Sequence, residues 1–182
     1  MTGDQVMIEE IKSILDDNLD ITPEVKNDLF ELILLFNSKF SDVNLDNLKE
    51  RLKTLKIRRE SMYLVKMPCK YMPYTNEILI NLGLFAESDA RHWLMHSLLG
   101  VITGNDNHYG FNDNDDSFLA LNEGYTEIIV NNLVGDIDNN FFTDEIVMTN
   151  LISKVIGENT LYSAYFNNGA QLIRRSIESV EA

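Results

Sequence analysis

The stretch RHWLMHSLLG, residues 91–100, decides how the chain is to be interpreted, because it carries two of the three histidines in the sequence. His92 and His96 are four positions apart, so on a helix both rings leave the same face about one turn from each other. The apolar spacing over residues 87–103 is helical, and a loop dense in Gly, Asn and Asp follows. The stretch therefore predicts a helix that presents two imidazoles together.

Two imidazoles in this arrangement can bind one zinc ion, but a catalytic site needs a third protein ligand and an open position for water. The next predicted helix, residues 118–133, begins FLALNEGYTEIIV and places Glu123 27 residues after His96. The candidate metal ligands are His92, His96 and Glu123. Histidines at this spacing also occur as structural residues. The other side chains that we expect to line such a cleft are Trp93, Ser97, His108, Asn122 and Glu127.

The order of these elements resembles that of a known family. LNEGYTE, residues 121–127, is similar to the third-ligand helix of gluzincin-type zinc metallopeptidases. In that family an H-E-x-x-H helix gives two histidines and a later Asn-Glu-Gly helix gives the carboxylate. Here, too, a predicted strand, NEILINL, precedes the histidine helix, and a loop with YGF follows it. The resemblance covers residues 76–133 and implies a zincin-like core.

The sequence departs from this family at the residue that activates water. The family has a glutamate directly after the first histidine, and this carboxylate takes the proton from zinc-bound water. If HWLMH, residues 92–96, is the motif, Trp93 replaces the glutamate and all three ligands remain. If HSLLG, residues 96–100, is the motif, Ser97 replaces the glutamate and Gly100 replaces the second histidine. We prefer the second alignment, because its intervening leucines fit the family better. Neither alignment supplies a proton acceptor.

The whole chain predicts an α+β fold in one domain. Apolar residues recur at helical spacing over residues 7–15, 25–36 and 45–55, and strand-like patterns follow over residues 61–68 and 76–82. Further helical stretches open at Thr143 and surround Leu161 and Leu172. The predicted parts are a helical N-terminal part over residues 1–57, a zincin-like core over residues 61–133 with a small β-sheet packed on an active-site-type helix, and a helical C-terminal part over residues 134–182.

Charge and composition exclude some partners. The net charge is −14 and the sequence pI is near 4.5, so the chain repels phosphate backbones and anionic membranes. We therefore expect no nucleic acid and no membrane as partner. The single cysteine, Cys69, excludes an internal disulfide and fits a reducing compartment. The sequence has no secretion-type start and no membrane-spanning apolar run, so we expect a cytoplasmic protein.

Basic residues cluster in the third predicted helix, which carries Lys49, Arg51, Lys53 and Lys56. The simplest interpretation is a solvated helix face. An acidic partner or a self-association surface is the alternative interpretation of this cluster.

The loop before the second candidate helix also allows a calcium interpretation. Residues 112–123 place Asn112, Asn114, Asp116 and Glu123 at positions 1, 3, 5 and 12 of an EF-hand-like frame. The sixth position holds Ser117, where the sharp turn needs glycine. We therefore expect an ordinary solvated loop.

These features predict a catalytically inactive zincin-like protein that has no metal cofactor and acts by binding a protein or peptide. The alternative is a metal-dependent, peptidase-like hydrolase in which His92, His96 and Glu123 hold zinc and Glu127 serves as base. A third interpretation is a structural or interaction protein unrelated to zincins. It would be favoured if the helices that carry Leu98 and Glu123 were not neighbours in space.

Overall fold

The fold consists mainly of helices around a small sheet. The computed structural model describes residues 3–61, 67–85, 89–105, 108–112, 117–135, 141–167 and 169–181. Within these ranges the helices are α1 (Gly3–Asp17), α2 (Pro23–Lys39), α3 (Asp46–Leu52), α4 (Ala90–Thr103), α5 (Leu119–Val134), α6 (Thr143–Ile156), α7 (Glu158–Phe166) and α8 (Ala170–Glu181). The strands are β1 (Lys56–Glu60), β2 (Cys69–Met72) and β3 (Glu77–Asn81). The predicted α+β class with helical N- and C-terminal parts is confirmed.

The third helix is shorter than its leucine spacing predicts. α3 ends at Leu52, and two buried asparagines from other elements bind the carbonyl groups at its end. Asn18 Nδ2 donates to the carbonyls of Leu52 and Leu55, at 2.8 and 2.9 Å, and Asn76 Nδ2 donates to that of Arg51 at 2.8 Å. Carbonyls that a helix end leaves unpaired are satisfied in this way.

The placement of Lys56 on the third helix is therefore wrong, since this residue opens β1. Its backbone N–H donates to the Asn76 carbonyl at 3.1 Å. Pairing with a strand more than twenty residues away decides the conformation of this segment, and helical spacing alone does not contain that information.

The sheet has the order β1-β3-β2, with β1 parallel and β2 antiparallel to β3. β3 confirms the strand predicted in NEILINL. Of the strand predicted over residues 61–68, residues 62–66 lie outside the described residues, and Met67 and Pro68 precede β2 without belonging to it. β1 ends and β2 begins at the same end of the sheet, because Glu60 lies opposite Asn81 and Cys69 lies opposite Ile80.

α4 is the central helix, and every residue from His92 to Thr103 is buried. A helix that is apolar on all sides is expected in the middle of a core. β2 packs on one side of α4, and α5 packs on another. The close approach of β2 depends on Gly100, since a Cβ there would lie 2.9 Å from Cδ1 of Tyr71. The sheet thus packs on the histidine helix, as predicted.

α5 lies between α4 and the C-terminal helices and begins within one residue of its predicted start. Its Gly124 faces α6, where a Cβ would meet the Glu145 carbonyl group and would lie 2.5 Å from Thr149 Oγ1. α6 begins at Thr143, as predicted. None of the described helices combines the length and apolar character that crossing a membrane requires.

Candidate functional site

α4 and α5 bring both histidines of the quoted stretch to the carboxylates of the LNEGYTE segment. His92 Nε2 lies 3.1 Å from the Glu127 carboxylate, and His96 Nε2 lies 3.5 Å from Glu123 Oε2 and 4.0 Å from Glu127 Oε2. All four side chains are buried. The condition for an unrelated protein, that these helices lie apart, is therefore not met. The sequence suggests one set of three ligands, whereas the structure has two neighbouring pairs, His92 with Glu127 and His96 with Glu123.

A cavity of about 20 Å³ opens beside the His96–Glu123 pair. This volume is enough for about one water molecule. The described residues that line it are Met67, Lys70, Tyr71, His96, Ser97, Gly100, Tyr109, Glu123 and Thr126. The motif positions of the second alignment, residues 96, 97 and 100, therefore share one cavity with Glu123.

Tyr71 fills the place that a second histidine would take in the second alignment. Its ring lies against Gly100, and its hydroxyl donates to Asn76 Oδ1 at 3.0 Å. A side chain at position 100 would have to displace this buried ring. In the second alignment, the Tyr71 ring thus leaves no room for a histidine side chain at position 100.

In the first alignment the position after the first histidine is Trp93, which lies in the core. Only 1% of Trp93 is exposed, and its ring meets Phe141 edge-on at 5.0 Å between centroids. A proton acceptor at this position would point into apolar packing. The two alignments therefore differ in space: Ser97 lines the cavity, whereas Trp93 is not among the described residues that line it.

Burial sets the charge state of the His96–Glu123 pair. Burial, with a smaller contribution from His92, lowers the pKa of His96 to about 3. Burial raises the pKa of Glu123 to about 7, against the opposing effect of the Lys70 cation. His96 Nε2 and Glu123 Oε2 make no hydrogen bond with any described residue. The ring of His96 is covered by Phe142, stacked at 5.4 Å. The cavity thus holds a neutral imidazole beside a carboxyl group that gains its proton readily.

We expect Glu123→Gln to stabilise the protein at pH 8 and to have little effect at pH 4. The pKa of Glu123 in the folded protein, about 7, lies above the ordinary glutamate pKa of 4.5, so ionisation costs the folded state free energy as pH rises from 4.5 to 7. Glutamine removes that cost, on the order of 2 to 3 kcal/mol above pH 7. Urea unfolding of both proteins at several pH values measures the difference. The control is Glu9→Gln, on the exposed face of α1; a difference between Glu123→Gln and the wild type that does not vary with pH would contradict the prediction.

The remaining predicted cleft residues have mainly structural contacts. Asn122 is fully buried, and its Oδ1 accepts the Phe111 N–H at 3.0 Å. His108 Nε2 lies 2.7 Å from Asn105 Nδ2, and His108 is not among the described residues lining the cavity. Ser97 donates to the Cys69 sulfur at 3.1 Å. In the EF-hand-like frame, Asn114 and Asp116 lie outside the described residues.

Reasoning from the sequence missed four cavity residues, which are Met67, Lys70, Tyr71 and Thr126. Lys70 and Tyr71 come from β2, and Thr126 comes from α5, where its hydroxyl lies 2.7 Å from that of Tyr165. The helical pattern offers a signal for Thr126, which is three residues after Glu123 and therefore on the same face. No local signal exists for the two β2 residues, because the packing of β2 against α4 brings them there.

The residues present do not complete the zinc site that the resemblance implies. Three protein ligands are needed, but in the second alignment only His96 and Glu123 remain. In the first alignment the Nε2 atom of His92 is engaged by Glu127. Among the residues that the structure describes, no three His, Cys, Asp or Glu side chains are arranged to hold a metal ion.

Comparison of the chain with protein-family models, with curated proteins and with solved structures gives no match.

Proposed function

We propose that this chain is a catalytically inactive zincin-like protein that acts by binding a protein or peptide. The observation that carries the proposal is the cavity in which His96, Ser97, Gly100 and Glu123 meet. In this cavity, His96 and Glu123 match two of the three ligand positions of the family. The positions of the base and of the second histidine hold residues without that chemistry, and Tyr71 fills the space beside Gly100.

Ser97 does not replace the missing base. A general base must accept a proton near neutral pH, and losing one typically costs about 10²- to 10⁴-fold in rate. The Ser97 hydroxyl donates to the thiol of Cys69, whose pKa is raised to about 12 by burial. This thiol stays protonated at neutral pH and cannot take a proton from the serine.

The proposed binding function uses what the degenerate site leaves intact. The helices and the small sheet remain packed, and an extended peptide can join a sheet edge through main-chain hydrogen bonds without being cut. We propose a cytoplasmic location, supported by the reduced, buried Cys69. The net charge of −14 supports protein over nucleic acid or membrane as partner.

One observation favours the alternative, a metal-dependent hydrolase with His92, His96 and Glu123 as zinc ligands and Glu127 as base. His96 Nε2 and Glu123 Oε2 face each other at 3.5 Å, buried and without a hydrogen bond to any described residue. A cation between them would satisfy both atoms. In that case His92 would bind the metal either through Nε2, after leaving Glu127, or through Nδ1, which has no hydrogen bond with a described residue.

The experiment is metal analysis of protein purified without chelator, combined with a peptidase assay on a mixture of fluorogenic peptides with and without added zinc. The proposal expects much less than one zinc per chain and no zinc-dependent cleavage. We expect the matched variants His92→Ala and His96→Ala to change neither the zinc content nor the rate of peptide cleavage. Stoichiometric zinc that is lost in both variants, with cleavage that a chelator stops, would establish the hydrolase instead.

A further inference from the structure

We propose that the outer edge of β1 binds an extended acidic segment of a partner protein as an added strand. This inference names the surface and the partner chemistry for the binding function proposed above, and it rests on that function only in requiring a protein or peptide ligand. In the sheet that the described residues form, β1 is an edge strand, and β3 is its neighbour. β1 lies on the side of this sheet opposite to β2, which lines the His96 cavity.

The backbone of β1 offers hydrogen-bonding groups on its open side. The Lys56 N–H donates to the Asn76 carbonyl at 3.1 Å, and the Leu82 N–H donates to the Glu60 carbonyl at 3.0 Å. In a parallel pair, alternate residues direct both backbone groups to the neighbouring strand. Lys56, Arg58 and Glu60 therefore face β3, whereas Ile57 and Arg59 direct their N–H and C=O groups outward. In the described part of the chain no hydrogen bond reaches these outward groups.

The charge of this edge is opposite to that of the whole protein. Residues 49–59 contain six of the fifteen lysines and arginines, in a chain with net charge −14. Three of these six cations form ion pairs within the protein: Lys49 with Glu10 and Asp46, Lys53 with Glu50, and Arg58 with Glu60 and Glu77.

Lys56 and Arg59 differ from these neighbours, because no carboxylate of a described residue lies within salt-bridge distance of either one. Both side chains are exposed, while Ile57 between them packs partly against the core. Opposite charges on facing strands stabilise pairing, and like charges destabilise it. The edge therefore fits a strand with carboxylates opposite the cations and an apolar residue opposite Ile57.

The same charges disfavour a second copy of this chain as occupant. Parallel pairing of two β1 strands would place Lys56 against Lys56 and Arg59 against Arg59. Antiparallel pairing about Arg58 would place Arg58 against Arg58 and Arg59 against Ile57, and Lys56 would face only Glu60, which Arg58 already binds. Natural edge strands use such like-charge contacts to prevent self-association. An acidic partner has no such penalty. The alternative interpretation of the basic cluster, an acidic partner, thus has a definite surface.

The test measures binding of a fluorescent heptapeptide, Thr-Glu-Val-Thr-Glu-Val-Thr, to the full chain by anisotropy. Side chains alternate between the two faces of a strand, so this spacing allows Glu, Val and Glu to lie opposite Lys56, Ile57 and Arg59. The same peptide with lysine in place of glutamate is the control ligand. We expect the glutamate peptide to bind more tightly, and Arg59→Gln to weaken it about threefold by loss of one ion pair. The double variant Lys56→Glu with Arg59→Glu is expected to reverse the preference between the two peptides. Arg175→Glu, on the exposed face of α8, is the matched control and should leave binding unchanged.

The variant Arg59→Pro distinguishes binding by strand addition from binding by charge attraction alone. Proline is tolerated where the N–H of an edge strand points outward, so the fold should persist while one docking donor is lost. We expect Arg59→Pro to bind the glutamate peptide at least tenfold more weakly than Arg59→Gln. A glutamate peptide N-methylated at alternate residues should bind the wild-type chain equally poorly, which gives a second measurement if Arg59→Pro fails to fold.

Any of three results would overturn the proposal. The two peptides could bind equally well, Arg175→Glu could weaken binding as much as Arg59→Gln does, or the N-methylated peptide could bind normally. Competition by a DNA oligonucleotide of equal charge would do so as well. Zinc-dependent cleavage by the purified chain would overturn the proposed inactive function and leave these binding results standing.

Discussion

Gly124→Ala is expected to lower the free energy of unfolding by about 2 kcal/mol or more, although alanine is the better helix former by about 1 kcal/mol. The reason is the crossing of α5 and α6. A Cβ at residue 124 would meet the backbone carbonyl of Glu145 and lie 2.5 Å from Thr149 Oγ1. Because a backbone group of a packed helix cannot rotate away as a side chain can, α6 must shift as a whole.

The measurement is urea unfolding of the wild type and the variant at neutral pH. Asn132→Ala provides the control, because it lies on the exposed side of the same helix and should change stability by less than about 0.5 kcal/mol. If Gly124→Ala were neutral or stabilising, α5 and α6 could not cross at the described distance. The glycine of the Asn-Glu-Gly motif would then have no packing role in this chain.

Much of the fold follows from local patterns. The apolar spacing over residues 25–36 predicts α2 correctly, as Thr143 predicts the start of α6. The proximity of His96 and Glu123 was also predictable, although only through the resemblance in the order of elements. Where periodicity and capping act within one element, the sequence contains the relevant physics.

The parts that were not predicted depend on contacts between elements. The start of β1 at Lys56 is set by pairing with β3, and the position of Tyr71 is set by packing of β2 on α4. The hydrogen bond between His92 Nε2 and Glu127 is also a contact between two helices, and the four-residue spacing of the histidines does not predict it. A helical repeat tells which side chains share a face but not which of them bind each other.

The geometry of the cavity leads to the prediction with the largest functional effect. We expect the triple variant Tyr71→Ala, Ser97→Glu and Gly100→His to bind about one zinc ion per chain. The variant introduces H-E-x-x-H over residues 96–100 beside Glu123, and removal of the Tyr71 ring gives the new imidazole space. Adding His96→Ala to the triple variant should abolish the zinc, since two ligands then remain.

Metal analysis gives the stoichiometry, and thermal unfolding with and without zinc shows whether the metal binds the folded state, because such a ligand raises the melting temperature. The matched variant is Trp93→Glu, which writes H-E-x-x-H into the first alignment, residues 92–96. It places a carboxylate among buried rings, so we expect it to destabilise the fold by about 3 kcal/mol or more without gaining zinc. If Trp93→Glu gained zinc while the triple variant did not, the first alignment, with His92 and His96, would describe the positions that can bind metal, and the cavity beside Gly100 would not be a metal site.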